Sequence, residues 1–231
     1  MKPSEIVIAL ETVIHIRQPV FLWGAPGVGK SQVVAQVAAR RSLELVDVRA
    51  VLLDPVDLRG IPRIDAQGNA VWCPPSFLPR SGQGVLFLDE LNTAPPLVQA
   101  ACYQLILDRK LGEYILPEGW VIVAAGNRES DRSVTHRMPS ALANRLIHLD
   151  FDPDLDDWLV WAEQADIDAR LRAFLRFRPK LLHVFDPTRN EKAFPSPRSW
   201  EFASRVMRSG ARWSTMRELL KGAVGESAAA E

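Results

Sequence analysis

The octet "GAPGVGKS" sets Gly24, Ala25, Pro26, Gly27, Val28, Gly29, Lys30 and Ser31 between an apolar run, residues 20 to 23, and a helical stretch, "QVVAQVAAR". It fits G-x-x-x-x-G-K-[ST] in the strand, turn and helix context that this pattern needs. The glycines let backbone N–H groups turn inward onto phosphate oxygens, and the following helix adds the positive end of its dipole. Lys30 would then reach the β- and γ-phosphates of a nucleoside triphosphate, and Ser31 would hold Mg²⁺.

A phosphate cradle alone serves kinases, GTPases and motor ATPases. The run "GVLFLDEL" narrows the choice, because an apolar strand delivers Asp89 and Glu90 to the carboxyl edge of a sheet, where ligands of such folds sit. Asp89 would orient Mg²⁺ and Glu90 would activate the attacking water. The strand "VIVAAGN" ends in Asn127, whose neutral amide suits a group beside a γ-phosphate but is also an ordinary strand terminator. No Asn-Lys-x-Asp sequence, the guanine-binding pattern, occurs, which counts against a GTPase.

These residues need a sheet to position them, and the hydrophobic pattern supplies one. Apolar runs at 20–23, 43–48, 84–89, 120–125 and 145–151 predict strands, and helices are expected at 4–16 (capped by Ser4), 31–41, 97–108 and 139–143. Strands alternating with helices predict a parallel sheet covered on both faces. Residues 61–79 and 109–119 interrupt the alternation as two small hairpins, the first with a turn at Gln67-Gly68-Asn69. After Phe151 only helices are expected, the first capped by Asp152 with Pro153 at its first position, then 168–177, 197–209 and 214–221. The division is placed at 1–150 and 151–231.

Lys+Arg and Asp+Glu both number 28, so the net charge of +0 gives no support to binding of nucleic acid. Cys73 and Cys102 have no ligand spacing and are expected reduced; with no signal peptide or membrane segment, a cytoplasmic protein follows. His15, His136, His148 and His183 show no metal spacing. The basic run "ARLRAFLRFRPK" reads as the charged outer face of an amphipathic helix, and Trp158, Trp161, Trp200 and Trp213 as packing residues.

The phrases "FLWGAPGVGKS", "VLFLDELNTAP", "LGEYILPEGWVIVAAGNRESD", "MPSALANRLIHLDF" and "FPSPRSWEFAS" together resemble the AAA+ ATPases, and among them the MoxR-like group. The two hairpins fall where that group, like magnesium chelatases and MCM helicases, carries its insertions. The resemblance implies a P-loop α/β core followed by a small all-α lid, with ATP and Mg²⁺ bound between them. It makes Asn127 the first sensor, Arg145 of "ALANR" an arginine finger acting on a neighbouring subunit, and Arg198 of "SPRSW" a second sensor. Arg128, Arg132 and Arg137 sit close enough in sequence to be rival or second trans arginines.

The resemblance further implies a homo-oligomeric ring, hexameric as in the family. It implies chaperone-like remodelling of a protein client with a von Willebrand factor A domain partner. Family members often continue beyond the point where this sequence stops in "VGESAAAE", so a C-terminal lid helix is expected to be absent. The competing readings are a helicase-type motor and an ATP-dependent switch with little turnover. Neutral or acidic hairpins weigh against the first, and retention of Glu90 and Arg145 against the second.

Overall fold

The computed structural model describes residues 1–131, 138–189 and 191–231. Helix α1, Pro3–His15, buries Ile6, Val7, Leu10, Val13 and Ile14, the stripe its 3.6-residue period dictates. It starts at Pro3 with Lys2 as the cap, two residues earlier than a Ser4 cap would give. Proline's fixed φ suits the first helical position, and the freed Ser4 N–H donates to the Asp157 carboxylate at 2.7 Å.

Strand β1, Val20–Trp23, passes through the glycine-rich octet into α2, Lys30–Arg40, and then β2, Glu44–Arg49. A short helix α3, Pro55–Arg59, leads to the first hairpin, β3 (Ile61–Ile64) with β4 (Ala70–Cys73). Its turn is held by Asp65, whose Oδ1 accepts the N–H groups of Gln67 and Asn69 at 2.9 and 2.8 Å. Strand β5, Gly84–Asp89, and helix α4, Pro96–Asp108, precede the second hairpin, β6 (Lys110–Leu111) with β7 (Tyr114–Ile115). Strand β8, Trp120–Gly126, helix α5, Ser140–Ala143, and strand β9, Ile147–Asp150, complete the α/β part.

Five strands form one parallel sheet in the order β2-β5-β8-β1-β9. Strands β5 and β8 are buried along their whole length because both sheet faces are covered. Leu22, Val85, Phe87 and Val123 pack beneath α1 and α2, while Phe21, Leu86, Leu88 and Ile122 pack beneath α4. The register pairs Trp23 with Gly126 and Leu88 with Ala124, so β1, β5 and β8 all end on one edge.

Beyond Phe151 the described residues form helices α6 (Leu155–Gln164), α7 (Ala169–Phe177), α8 (Pro197–Arg208), α9 (Trp213–Val224) and α10 (Glu226–Ala230). Trp158, Leu171, Leu175, Trp200 and Val224 anchor their own apolar cluster. The cap of α6 is Asp154, whose carboxylate accepts the Asp157 N–H at 3.0 Å. Asp152 is unavailable as a cap because Arg128 holds its carboxylate at 2.7 Å. Arg170 and Arg172 of α7 pair with Asp168 and Glu163 on a solvated face, with Leu171 and Leu175 buried behind them. Trp213 differs from the other three expected packing tryptophans: it starts α9 with 72% of its surface exposed. Helix α10, absent from the sequence-based expectation, buries Ala228 in the same cluster.

Trp120 is fully buried at the start of β8, donates from Nε1 to the Ser81 carbonyl at 2.9 Å, and lies where a Cβ on Gly84 would come within 2.7 Å of its ring. Trp120→Ala is predicted to lower the unfolding free energy by about 3–5 kcal/mol. An unchanged urea midpoint would contradict that packing role.

Candidate functional site

The octet bends back over the sheet edge because two of its glycines adopt conformations that side chains resist: Gly27 has φ 79° and Gly29 has φ 104°. A Cβ on Gly27 would also lie 2.8 Å from Ser196 Oγ, so the helical part sits directly on the loop. At the head of α2 the Lys30 ammonium donates to the carbonyls of Gly24 and Ala25, at 2.6 and 3.1 Å, and to Asn127 Oδ1 at 3.3 Å. Burial lowers its pKa to about 8, against the opposing pull of Asp89 and Asp131.

Ser31 Oγ donates to Asp89 Oδ2 at 2.8 Å, and the other Asp89 oxygen accepts the Glu90 N–H at 2.9 Å. Both carboxylate oxygens of this buried aspartate are thereby fixed. Glu90 takes φ 55°, a left-handed conformation uncommon for a residue with a side chain, and Thr93 Oγ1 donates to its carbonyl at 2.9 Å. Strain of this kind concentrates at functional sites, and here it turns the chain sharply at the strand end.

The helical part closes the cleft. Ser196 caps α8 by accepting the Ser199 N–H, and the Arg198 N–H donates to the Gly27 carbonyl at 3.3 Å. Arg198 lines one cleft with Lys30, Ser31, Asp89, Glu90 and Asn127. His183 Nε2 donates to the Pro26 carbonyl at 3.4 Å, and burial holds its pKa below the usual histidine value. A cavity of about 850 Å³ adjoins the loop, bounded by Val7, Val28, Phe151, Trp158, Pro197 and Arg198 among others.

Arg145 is placed elsewhere: it is exposed, in the turn between α5 and β9, and is not one of the residues that line this cleft. That turn is fastened by His148. Trp23 Nε1 donates to His148 Nδ1 at 2.9 Å, so His148 Nε2 carries the proton that it donates to the Ala143 carbonyl, also at 2.9 Å. Arg128 is committed within the chain, pairing with Asp150 at 3.2 Å and Asp152 at 2.7 Å. Arg132, Arg137 and His136 lie outside the described residues.

Sequence reasoning gave no role to Asn92, which is 2% exposed. Its Nδ2 donates to the Asn127 carbonyl at 2.7 Å, while its Oδ1 has no partner among the described residues. Nor did it notice Gln99, whose Nε2 donates to the carbonyls of Asn92 and Ala94 at 3.3 and 2.8 Å. Polar residues three and ten positions after an acidic strand end, within otherwise apolar surroundings, were the available signal.

A parallel sheet flanked by helices, with a glycine-rich loop running from β1 into α2 and a helical part behind it, defines a P-loop fold of the AAA+ type. Residues 19–146, more than half of the chain, match the AAA domain (dynein-related subfamily), and the chain belongs to that family. No curated protein matches the sequence. Among solved structures, NtrX from Brucella abortus in complex with ADP is similar at 18% identity, with a TM-score of 0.55 over 90% of this chain and 50% of that one. A RuvB mutant from Thermotoga maritima is similar at 18% identity, with a TM-score of 0.56 over 98% of this chain and 65% of that one. A candidate ATPase from Cytophaga hutchinsonii shares 21% identity, with a TM-score of 0.51 over 71% of this chain and 50% of that one. The chain thus spans about half to two thirds of the length of these proteins.

The family implies nucleotide binding, and if Lys30 holds the phosphates its lowered pKa would give that binding a proton signature. A triphosphate beside Lys30 would raise a pKa that burial lowers to about 8, so binding there would take up a proton only where free Lys30 is largely neutral. Titration calorimetry in buffers of different ionisation enthalpy should show uptake at roughly pH 9 and much less at roughly pH 7. Equal proton exchange at both would contradict the assignment, and Lys30→Arg should abolish the difference.

Proposed function

We propose that the chain is an ATP-hydrolysing subunit of the MoxR-like kind, whose complete site forms between copies in a ring. The observation that carries this reading is the division of its polar groups. Lys30, Ser31, Asp89, Glu90, Asn127 and Arg198 share one cleft, whereas Arg145 is exposed outside it. In this reading the backbone of Gly24, Ala25, Pro26, Gly27, Val28 and Gly29 cradles the phosphates, and Lys30 exchanges its carbonyl partners for phosphate oxygens. Glu90 accepts a proton from the attacking water, Asn127 and Arg198 contact the γ-phosphate, and Arg145 completes a neighbour's site.

Ser31 and Asp89 supply a hydroxyl and a carboxylate oxygen 2.8 Å apart, the hard donors Mg²⁺ prefers. In this reading the ion would take its remaining ligands from phosphate oxygens and water. Mg²⁺ held there would neutralise charge developing on the transferred phosphoryl group. Residues 1–150 would act as the nucleotide-binding domain and 151–231 as the lid, with the 850 Å³ cavity taking the base and ribose.

Ring assembly would gate activity, since a finger supplied by a neighbour is worth ~10³ to 10⁵ in rate. The hairpins expose Ile61, Ile64 and Ile115 and carry no basic row, which favours a protein client over nucleic acid. A hexamer working with a von Willebrand factor A domain partner is the family-based form of this proposal. No helix among the described residues is long and apolar enough to cross a membrane.

Specific activity should rise with protein concentration, in step with ATP-dependent light scattering. Glu90→Gln should bind ATP and lose at least about 10²-fold in turnover. Arg145→Ala should also bind ATP and turn over poorly, and mixing the two variants should restore part of the activity. Activity independent of concentration, or no rescue in mixtures that do assemble, would rule out the shared site.

A further inference from the structure

Asn92 stands out because a buried polar side chain is ordinarily satisfied at every atom. Its amide orientation is fixed by its neighbour: the Asn127 carbonyl can only accept, so Nδ2 must face it, and does so at 2.7 Å. Oδ1 is thereby turned against Gly126, where even a Cβ would lie 2.1 Å from it, and it has no donor among the described residues. Turning the amide over would set oxygen against oxygen. The bond to Asn127 is thus made with Oδ1 unpaired among the described residues.

A second layer holds Asn92 in turn. Gln99, buried on α4, donates to the carbonyls of Asn92 and Ala94, and Tyr103, one turn further along the helix, donates its hydroxyl proton to Gln99 Oε1. The chain of bonds runs from α4, through the turn after Glu90, to the residue whose Oδ1 lies 3.3 Å from Lys30. Leu91 and Thr93 on either side have no such reach: Leu91 is buried in the core and Thr93 bonds back to Glu90.

We propose that Asn92, braced by Gln99, is the positioning residue for Asn127, holding the end of β8 so that its amide stays beside Lys30 and in reach of a γ-phosphate. This rests on the reading of Asn127 as a γ-phosphate contact. Asn92 touches no reacting atom, so its loss should alter discrimination between nucleotides rather than binding as such. A γ-phosphate contact mispositioned by one hydrogen bond weakens ATP relative to ADP, because ADP makes no call on it.

The test is Asn92→Leu in the full chain, a swap of similar shape that removes both the donor and the unpaired acceptor, with Gln99→Met as the second variant should the first fail to fold. ATP and ADP affinities, turnover and the urea midpoint are measured beside Asn127→Ala. The expected result is ADP affinity within about twofold of the parent, an ATP-over-ADP preference reduced about tenfold, and a lower turnover. The double variant Asn92→Leu/Asn127→Ala should be no worse than Asn127→Ala alone, since both act through one group.

Parental discrimination in Asn92→Leu and in Gln99→Met, beside a crippled Asn127→Ala, would overturn the positioning role alone. ATP and ADP affinities falling in parallel with the midpoint would reduce Asn92 to a packing residue and also overturn it. An Asn127→Ala variant with parental discrimination and turnover would remove the γ-phosphate reading, and the positioning role with it.

Discussion

A parallel sheet ends every strand on the same edge, and this molecule depends on that constraint. Strands β1, β5 and β8 lie side by side in register, so Gly24, Asp89 and Asn127, distant in sequence, emerge as neighbours. The sheet can hold this register only because both faces are buried, by α1 and α2 on one side and α4 on the other. A slip of one residue would exchange the two apolar faces and scatter the site. Core packing and site geometry are therefore a single problem, solved by the alternation of large apolar residues along β5 and β8.

What the edge gathers is unfavourable to gather without a purpose. An ammonium is partly buried at Lys30, an aspartate is buried at Asp89, Glu90 adopts a left-handed backbone, and Asn92 Oδ1 has no partner among the described residues. The first three are tolerable because their neighbours hold them in place. Lys30 has two carbonyls and an amide oxygen, Asp89 a hydroxyl and an N–H, and Glu90 the Thr93 hydroxyl. The helical part adds contacts from Ser196, Arg198 and His183 to the loop itself, so its position and the shape of the loop are joined directly.

Much of this was legible in the sequence, where signals were local. Glycines at fixed offsets before Lys-Ser announced the loop, and continuous apolar runs announced buried parallel strands. The Gln67-Gly68-Asn69 turn announced the first hairpin. Long-range competition decided what was not legible. Asp152 has the look of a helix cap, but Arg128 claims its carboxylate, so Asp154 caps α6 instead. Trp213 has the composition of a core residue, yet at the first position of α9 it faces outward. Asn92 and Gln99 form no local pattern, because their partners come from β8 and from the turn between β5 and α4. Arg128 matched the chemistry of a trans arginine, and only its pairing with Asp150 and Asp152 shows it engaged within the chain.

The central claim is that the loop from Gly24 to Ser31 holds a nucleoside triphosphate through Lys30. It is tested most directly by calorimetric titration of ATP with Mg²⁺ into the parent chain and into Lys30→Ala. One ATP should bind per chain in the parent, with an affinity at least about a hundredfold weaker in the variant, the loss expected of buried charge-assisted bonds. Parental affinity in a folded Lys30→Ala chain would contradict it.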